Sequence, residues 1–284
     1  MRTVVITGAS TGIGRACAEY QAAKGWQVFA GVRKLEDGEP LKAAHPNIEP
    51  LLLDVTNPER VAQAAETVRT ALAGKKLAGL VNNAGIANMG PLALQPQDKF
   101  ESHFAVNVFG LLRASQAFIP QLGMDEQLTG PPGRIVNITS VGGRLASPFL
   151  GAYTATKHAV ESMTDSLRRE LVLFGIDAIA VGPGAVKTPI WDKAESDNSS
   201  NPYANTPWST AIDAFSQAML EGGRTGLDPE TIAACVDQAL SAKKPKVRYA
   251  PVPNKLTNFT LPLLLPKRMV DGVFWKRFGM QKPS

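Results

Sequence analysis

A chain of 284 residues with 44% hydrophobic and 19% charged residues is long enough to bury one large core and lacks the bias of a disordered or fibrous sequence. Its two cysteines, Cys17 and Cys235, exclude a disulfide framework and a cysteine-rich metal site, and a reducing cytoplasm is the expected compartment. The net charge of +5 is carried by the tail, where Ser241 to Ser284 holds ten Lys/Arg against one acidic residue; the body is mildly acidic, which argues against nucleic acid as a partner.

In chain order, an apolar strand pattern begins at Thr3, so no leader peptide is expected, and no apolar run reaches the roughly 18 residues of a membrane span. The strand Thr3 to Ile6 runs into Thr7-Gly8-Ala9-Ser10-Thr11-Gly12-Ile13-Gly14 and then into a helical pattern. A strand, a glycine turn and a helix start let backbone N–H groups approach a dinucleotide pyrophosphate at the positive end of the helix dipole. The spacing is G-x-x-x-G-x-G rather than G-x-G-x-x-G, and taken alone it also suits an ordinary turn.

The second strand, Gln27 to Val32, ends without the carboxylate that would select an unphosphorylated adenine ribose. Arg33 follows, a guanidinium suited to a 2′-phosphate, so NADP is expected over NAD; the plain alternative is a solvated loop residue. A third strand, Ile48 to Leu53, delivers Asp54 and Val55 to the strand ends, where an acid can accept from an adenine amino group. Asp54, Thr56 or Asn57 is equally placed to cap the helix that starts at Pro58 and runs to about Ala73. The fourth strand, Leu77 to Val81, leads into Asn82-Asn83-Ala84-Gly85, amides that can cross-link strand ends beside a cofactor. A helical pattern from about Pro96 to Gln121 has Asn107 in its middle, a poor helix choice that points to a bend or a specific partner.

The fifth strand, Arg134 to Ile138, ends at Thr139-Ser140, and Tyr153 and Lys157 follow on a helix to about Phe174, one turn apart on one face. A phenol titrates near pH 10, and a nearby ammonium in a water-poor crevice is expected to stabilise the phenolate. Tyr153 then exchanges a proton with a substrate oxygen to which Ser140 also donates. With that pair in place, His103 and His158 read as structural, and Glu161 as a surface or helix-pairing residue.

Together, Gly8, Gly12 and Gly14, Asp54, Asn82 to Gly85, Asn107, Ser140, Tyr153-x-x-x-Lys157, and Pro183-Gly184 with Thr188 resemble the motifs of the short-chain dehydrogenase/reductase family in its single-domain form, in register from residue 3 to about 190. The resemblance implies an α/β, doubly wound Rossmann fold with a seven-stranded parallel sheet, spanning 1–250. It implies Ser140, Tyr153 and Lys157 as catalytic residues, Lys157 also holding the nicotinamide ribose, and Asn107 holding a relay water. It places the diphosphate on Gly8, Ser10, Thr11, Gly12, Ile13 and Gly14, adenine at Asp54 and Val55, ribose near Asn83, Ala84 and Gly85, and the carboxamide against Pro183, Gly184, Val186 and Thr188. No metal is implied, and relatives are mostly homodimers or homotetramers.

Past Thr188 a polar substrate loop is expected over about 189–225, bringing Trp191, Tyr203 and Trp208 as apolar walls. A helix from about Asp228 to Ala242 and a strand over Lys246 to Ala250 then complete the sheet. The extension 251–284 alternates apolar clusters with paired bases, as in Leu261 to Pro266 before Lys267-Arg268. It resembles the tails of family members acting on retinol or steroids, and is read as packing on the body, covering an apolar pocket or touching a membrane surface. The reading is an NADP(H)-dependent oxidoreductase that interconverts a hydrophobic alcohol and its ketone or aldehyde. The alternatives are an NAD-preferring enzyme or a catalytically silent NADP-binding regulator on the same fold; the Tyr153/Lys157 pair argues against the silent form.

Overall fold

The computed structural model describes residues 1–188 and 202–280. β1 (Thr3–Ile6) leads through α1 (Gly12–Ala23) to β2 (Gln27–Val32), and α2 (Glu39–Ala44) leads to β3 (Ile48–Leu52). α3 (Pro58–Leu72) precedes β4 (Gly79–Asn82); α4 (Gln97–Phe104) and α5 (Leu111–Ile119) precede β5 (Arg134–Ile138). α6 (Gly151–Glu170), β6 (Asp177–Val181), α7 (Ser209–Thr225), α8 (Pro229–Ser241) and β7 (Arg248–Tyr249) complete the body, followed by α9 (Leu261–Leu264) and α10 (Lys267–Arg277).

The seven strands are all parallel in the order β3-β2-β1-β4-β5-β6-β7. The order reverses between β1 and β4, so a crevice opens over the carboxyl ends of these strands. Helices cover both faces, which is why the strands read as nearly continuous apolar runs. Along β1, Val4 and Ile6 enter a core shared with Cys17 of α1 and Val236 of α8, while Val5 enters the opposite core with Val61 of α3 and Phe118 of α5. At about 25 cal/mol per Å² of apolar surface, these two cores are the main stabilising term. The sheet's two edges are irregular: Pro50 lies inside β3, and β7 has two residues.

The structure bears on three expectations. The expected long helix runs from α4 through a π turn, Ala105–Gly110, into α5, and the π turn is the local irregularity to which Asn107 pointed. The expected substrate loop is not loop throughout, because its second half forms α7, whose Ala211, Ile212 and Phe215 are buried. Trp191 lies outside the described residues. The tail divides its side chains. Phe278, with Phe274 and Met280 partly buried beside it, packs into a third core with Met89, Phe149, Leu150, Tyr203 and Phe215, against which Tyr153 and Trp208 also lie. Meanwhile Leu256, Leu261, Leu263, Leu264, Leu265, Met269 and Val273 stay exposed.

Candidate active site

The glycine turn is shaped for something that needs bare backbone. Gly8 and Gly12 have φ of 65° and 57°, in the region glycine favours. A Cβ on Gly14 would lie 2.3 Å from the Gly8 carbonyl oxygen and 2.4 Å from Asn83 Nδ2. Thr11, at the N-cap of α1, makes no side-chain cap bond, and the first turn holds no acidic residue. Ser10 and Ile13 are partly exposed beside it. That helix start presents uncompensated N–H groups to an anion.

Asn83 braces this turn. Its Nδ2 donates to the carbonyls of Thr7 and Gly8, both at 3.0 Å, while Thr7 Oγ1 accepts from the N–H groups of Asn83 and Ala84. The amide expected at the ribose is therefore engaged in the protein's own turn. Asn82 does cross-link strand ends, donating to Asn137 Oδ1 at 2.9 Å, and Asn137 donates to Thr164 Oγ1. At the neighbouring strand ends, Asp54 Oδ1 accepts from Thr56 N–H and Oγ1, and Asn57, not Asp54 or Thr56, caps α3 through Arg60 N–H. Val55 is buried, and Arg33 is exposed at the end of β2.

The π turn explains Asn107. Its Oδ1 accepts from Ile86 N–H at 2.8 Å, and its Nδ2 donates to the Ile86 carbonyl and to Thr156 Oγ1, both at 3.0 Å. A Cβ on Gly85 would sit 3.3 Å from Asn107 Oδ1 and 3.8 Å from Lys157 Nζ, so the exposed glycine, the asparagine and the lysine meet at one place.

Tyr153 and Lys157 share a face of α6, with Nζ 5.6 Å from the phenol ring centre. Lys157 is buried and donates to the Ile138 carbonyl at the end of β5, at 2.9 Å. Ser140 begins the turn after β5, and its hydroxyl accepts from Gly142 N–H. Here the electrostatics depart from the expectation that the lysine makes the phenol acidic. Loss of hydration raises the Tyr153 pKa above the usual phenol value, and a hydrogen bond with Ser140 works against it. Burial also lowers Lys157 to about 8, while the Glu161 carboxylate favours its charged form.

The remaining carboxamide-side residues form the wall beside Ser140. Pro183 is buried and accepts from Val141 N–H, Gly184 N–H donates to Pro251, Val186 is buried and bridges to Leu227, and Thr188 is the last residue described on this side. His103 is structural: its Nδ1–H donates to Lys99 and its Nε2 accepts from Asn88 N–H, with burial lowering its pKa. His158 donates to Thr154 from the exposed side of α6. Glu161 is not a surface residue. It is buried and paired with Arg248, a partner 87 positions away that no local spacing could reveal. Among the described residues, no group of His, Cys, Asp and Glu is placed to hold a metal ion.

A family profile described as short chain dehydrogenase matches residues 2–199. The chain belongs to the short-chain dehydrogenase/reductase family. It is an oxidoreductase of that family. It is 38% identical over 277 residues to the NADPH-dependent 3-dehydrocapnine reductase of Ornithobacterium rhinotracheale, covering 97% of both chains. It is 34% identical to retinol dehydrogenase 5 of Mus musculus, over 95% of this chain and 86% of that one. The crystal structure of a short-chain dehydrogenase from Streptomyces avermitilis superposes with a TM-score of 0.78 at 28% identity, over 100% of this chain and 98% of the other.

Proposed function

We propose that this short-chain dehydrogenase/reductase uses NADP(H) to interconvert a hydrophobic alcohol and its ketone or aldehyde. The observation that carries this reading is Tyr153: a desolvated phenol, hydrogen-bonded with Ser140, one turn from Lys157 and against an apolar core that includes Phe149, Phe215 and Phe278. A phenol held above its usual pKa remains protonated at neutral pH and is set to donate to a carbonyl oxygen. Ser140 donates to the same oxygen, and the Lys157 ammonium stabilises charge on the phenol oxygen once its proton has left. Asn107, fixed by Ile86 and Thr156, is assigned the relay water that would join Lys157 to solvent.

The cradle around Gly14, the uncapped start of α1 and the buried wall at Pro183 and Val186 fit a dinucleotide. When bound, it supplies the hydride. Gly8 to Gly14 would hold its diphosphate, Asp54 and Val55 its adenine, Lys157 the nicotinamide ribose, and Arg33 a 2′-phosphate. The similarity to an NADPH-dependent reductase supports that cofactor choice, and the similarity to a retinol dehydrogenase supports a bulky apolar substrate.

A panel of apolar ketones and aldehydes, assayed with NADPH and NADH by cofactor absorbance, tests the reading. Tyr153→Phe is expected to lower turnover about 10²–10⁴-fold. Undiminished turnover in that variant would overturn the mechanism.

The exposed tail leucines favour one further role. Leu264 is 76% exposed and Leu261, Leu263 and Leu265 about 40% each, next to Lys267 and Arg268. Apolar residues beside paired bases suit peripheral contact with an anionic lipid surface. Flotation with anionic liposomes, intact against Leu263→Asp/Leu264→Asp, tests it; equal flotation of the two would sink it.

A further inference from the structure

Glu161 lies one turn beyond Lys157, at the spacing that puts the two on one face of α6. Its carboxylate accepts from Thr139 Oγ1 at 2.6 Å and from Arg248 Nε, which lies 3.0 Å from both oxygens. A terminal nitrogen of Arg248 donates onward to the Ser140 carbonyl at 3.3 Å. The pair thus joins β7, α6 and the two residues that follow β5. The fold makes room for it with two glycines: a Cβ on Gly182 would lie 2.2 Å from Arg248, and one on Gly143 would lie 2.9 Å from Glu161 Cγ. From the tail, the Phe259 ring covers the guanidinium, its centre 5.0 Å from the central carbon.

A buried ion pair is weak evidence for stability, because desolvation offsets most of the attraction. The position of this one gives it another use. It grips Thr139 by the side chain and Ser140 by the backbone, and the residue just before them, Ile138, supplies the carbonyl that receives Lys157 Nζ. We infer that Glu161 and Arg248 are positioning residues for the reaction, fixing the Ser140 segment and setting the electrostatic field at Lys157, with Phe259 shielding the pair. The inference rests on the roles of Ser140, Tyr153 and Lys157 proposed above.

The two partners act on Lys157 with opposite sign. The groups around it are the Tyr153 phenol one turn back, Glu161 one turn on, and Arg248 from β7; Arg144, His158, Asp165 and Arg169 line the groove that Glu161 also lines. Burial holds Lys157 at about 8 against the pull of the carboxylate. Removing the charge of Glu161 leaves an unpaired guanidinium nearby, and both changes drive the ammonium to lose its proton at lower pH. Removing the charge of Arg248 leaves the carboxylate uncompensated, which drives it the other way.

The test is a pH titration of the full-length chain carrying 13C at lysine Cε, the Lys157 signal being assigned by its absence in Lys157→Met. Glu161→Gln is expected to move the Lys157 midpoint down, and Arg248→Gln to move it up, each by about one pH unit. Midpoints equal to wild type, or moved in one direction by both variants, would overturn the inference. Where a single variant fails to fold, Arg248→Lys serves: it keeps the charge and loses the fork, so the midpoint should hold while kcat for the fastest carbonyl compound of the panel falls about tenfold. An unchanged kcat overturns the positioning role. Failure of the parent reading looks different, as retained turnover in Tyr153→Phe, and would remove the inference with it.

Discussion

The side chain of Asn107 closes both backbone hydrogen bonds of Ile86, accepting from its N–H at 2.8 Å and donating to its carbonyl at 3.0 Å. A π turn widens the helix at this point, so the amide reaches across to another segment and need not compete with its own backbone. Asn107→Leu would leave both Ile86 groups without partners, at about 1–3 kcal/mol for each. We expect a lowered urea midpoint together with loss of turnover. An unchanged midpoint would mean that water or a shifted loop satisfies Ile86.

Gly14→Ala should separate cofactor binding from folding. The added Cβ meets Gly8 and Asn83 at distances no side chain tolerates, so the turn must open. The expected result is at least a tenfold loss of NADPH affinity by fluorescence titration, about 1.4 kcal/mol. In the same assay Arg33→Ala should weaken NADPH and leave NADH unaffected. Equal effects on both cofactors would remove Arg33 from the 2′-phosphate.

Lys157 carries a stability cost that depends on pH. Its folded pKa of about 8 lies below the usual lysine value of 10.5, so the unfolded chain binds the proton more tightly. The sign follows: the penalty is fully present below about pH 8 and is relieved as pH rises from about 8 towards 10.5. Lys157→Met is therefore expected to be inactive yet more stable at pH 7, by about 1–3 kcal/mol, with the advantage shrinking above pH 8. Thermal melts at several pH values would check it. A destabilised Met variant at pH 7 would show that the bond to Ile138 outweighs desolvation.

Phe278→Ala tests the tail as a substrate wall. The Phe278 ring lies 5.2 Å from that of Phe215, which lies 5.6 Å from Phe149. Truncation should cost about 3–4 kcal/mol if the whole fold feels the cavity. If the tail is a local cover, KM for apolar substrates should rise while NADPH affinity and the main melting transition hold. An unchanged KM across the substrate panel would refute the wall.

The sheet was legible because its inner strands bury both faces, which leaves short apolar runs ending in polar residues, as Thr3 to Ile6 ends at Thr7. The glycine turn, Ser140, Tyr153 and Lys157 were legible for a related reason: their spacing along one strand end or one helix turn is itself the geometry. The electrostatics of Tyr153 were not, because loss of hydration to residues distant in sequence raises its pKa and only the Ser140 hydrogen bond works against it. Glu161 was missed in the same way. Its neighbours on α6 include exposed polar residues, and the Arg248 that buries it comes from the last strand. The tail was legible only as a choice between packing on the body, covering a pocket and touching a membrane, because the aromatic residues turn inward and the leucines outward, which no single helical stripe encodes.

The irregular edges of the sheet have a consequence for self-association. Pro50 lacks the N–H that an added strand beyond β3 would look for, and β7 offers only two residues of ladder. Both borders are therefore poor templates for strand addition by a second molecule, the route by which exposed sheet edges seed fibrous growth.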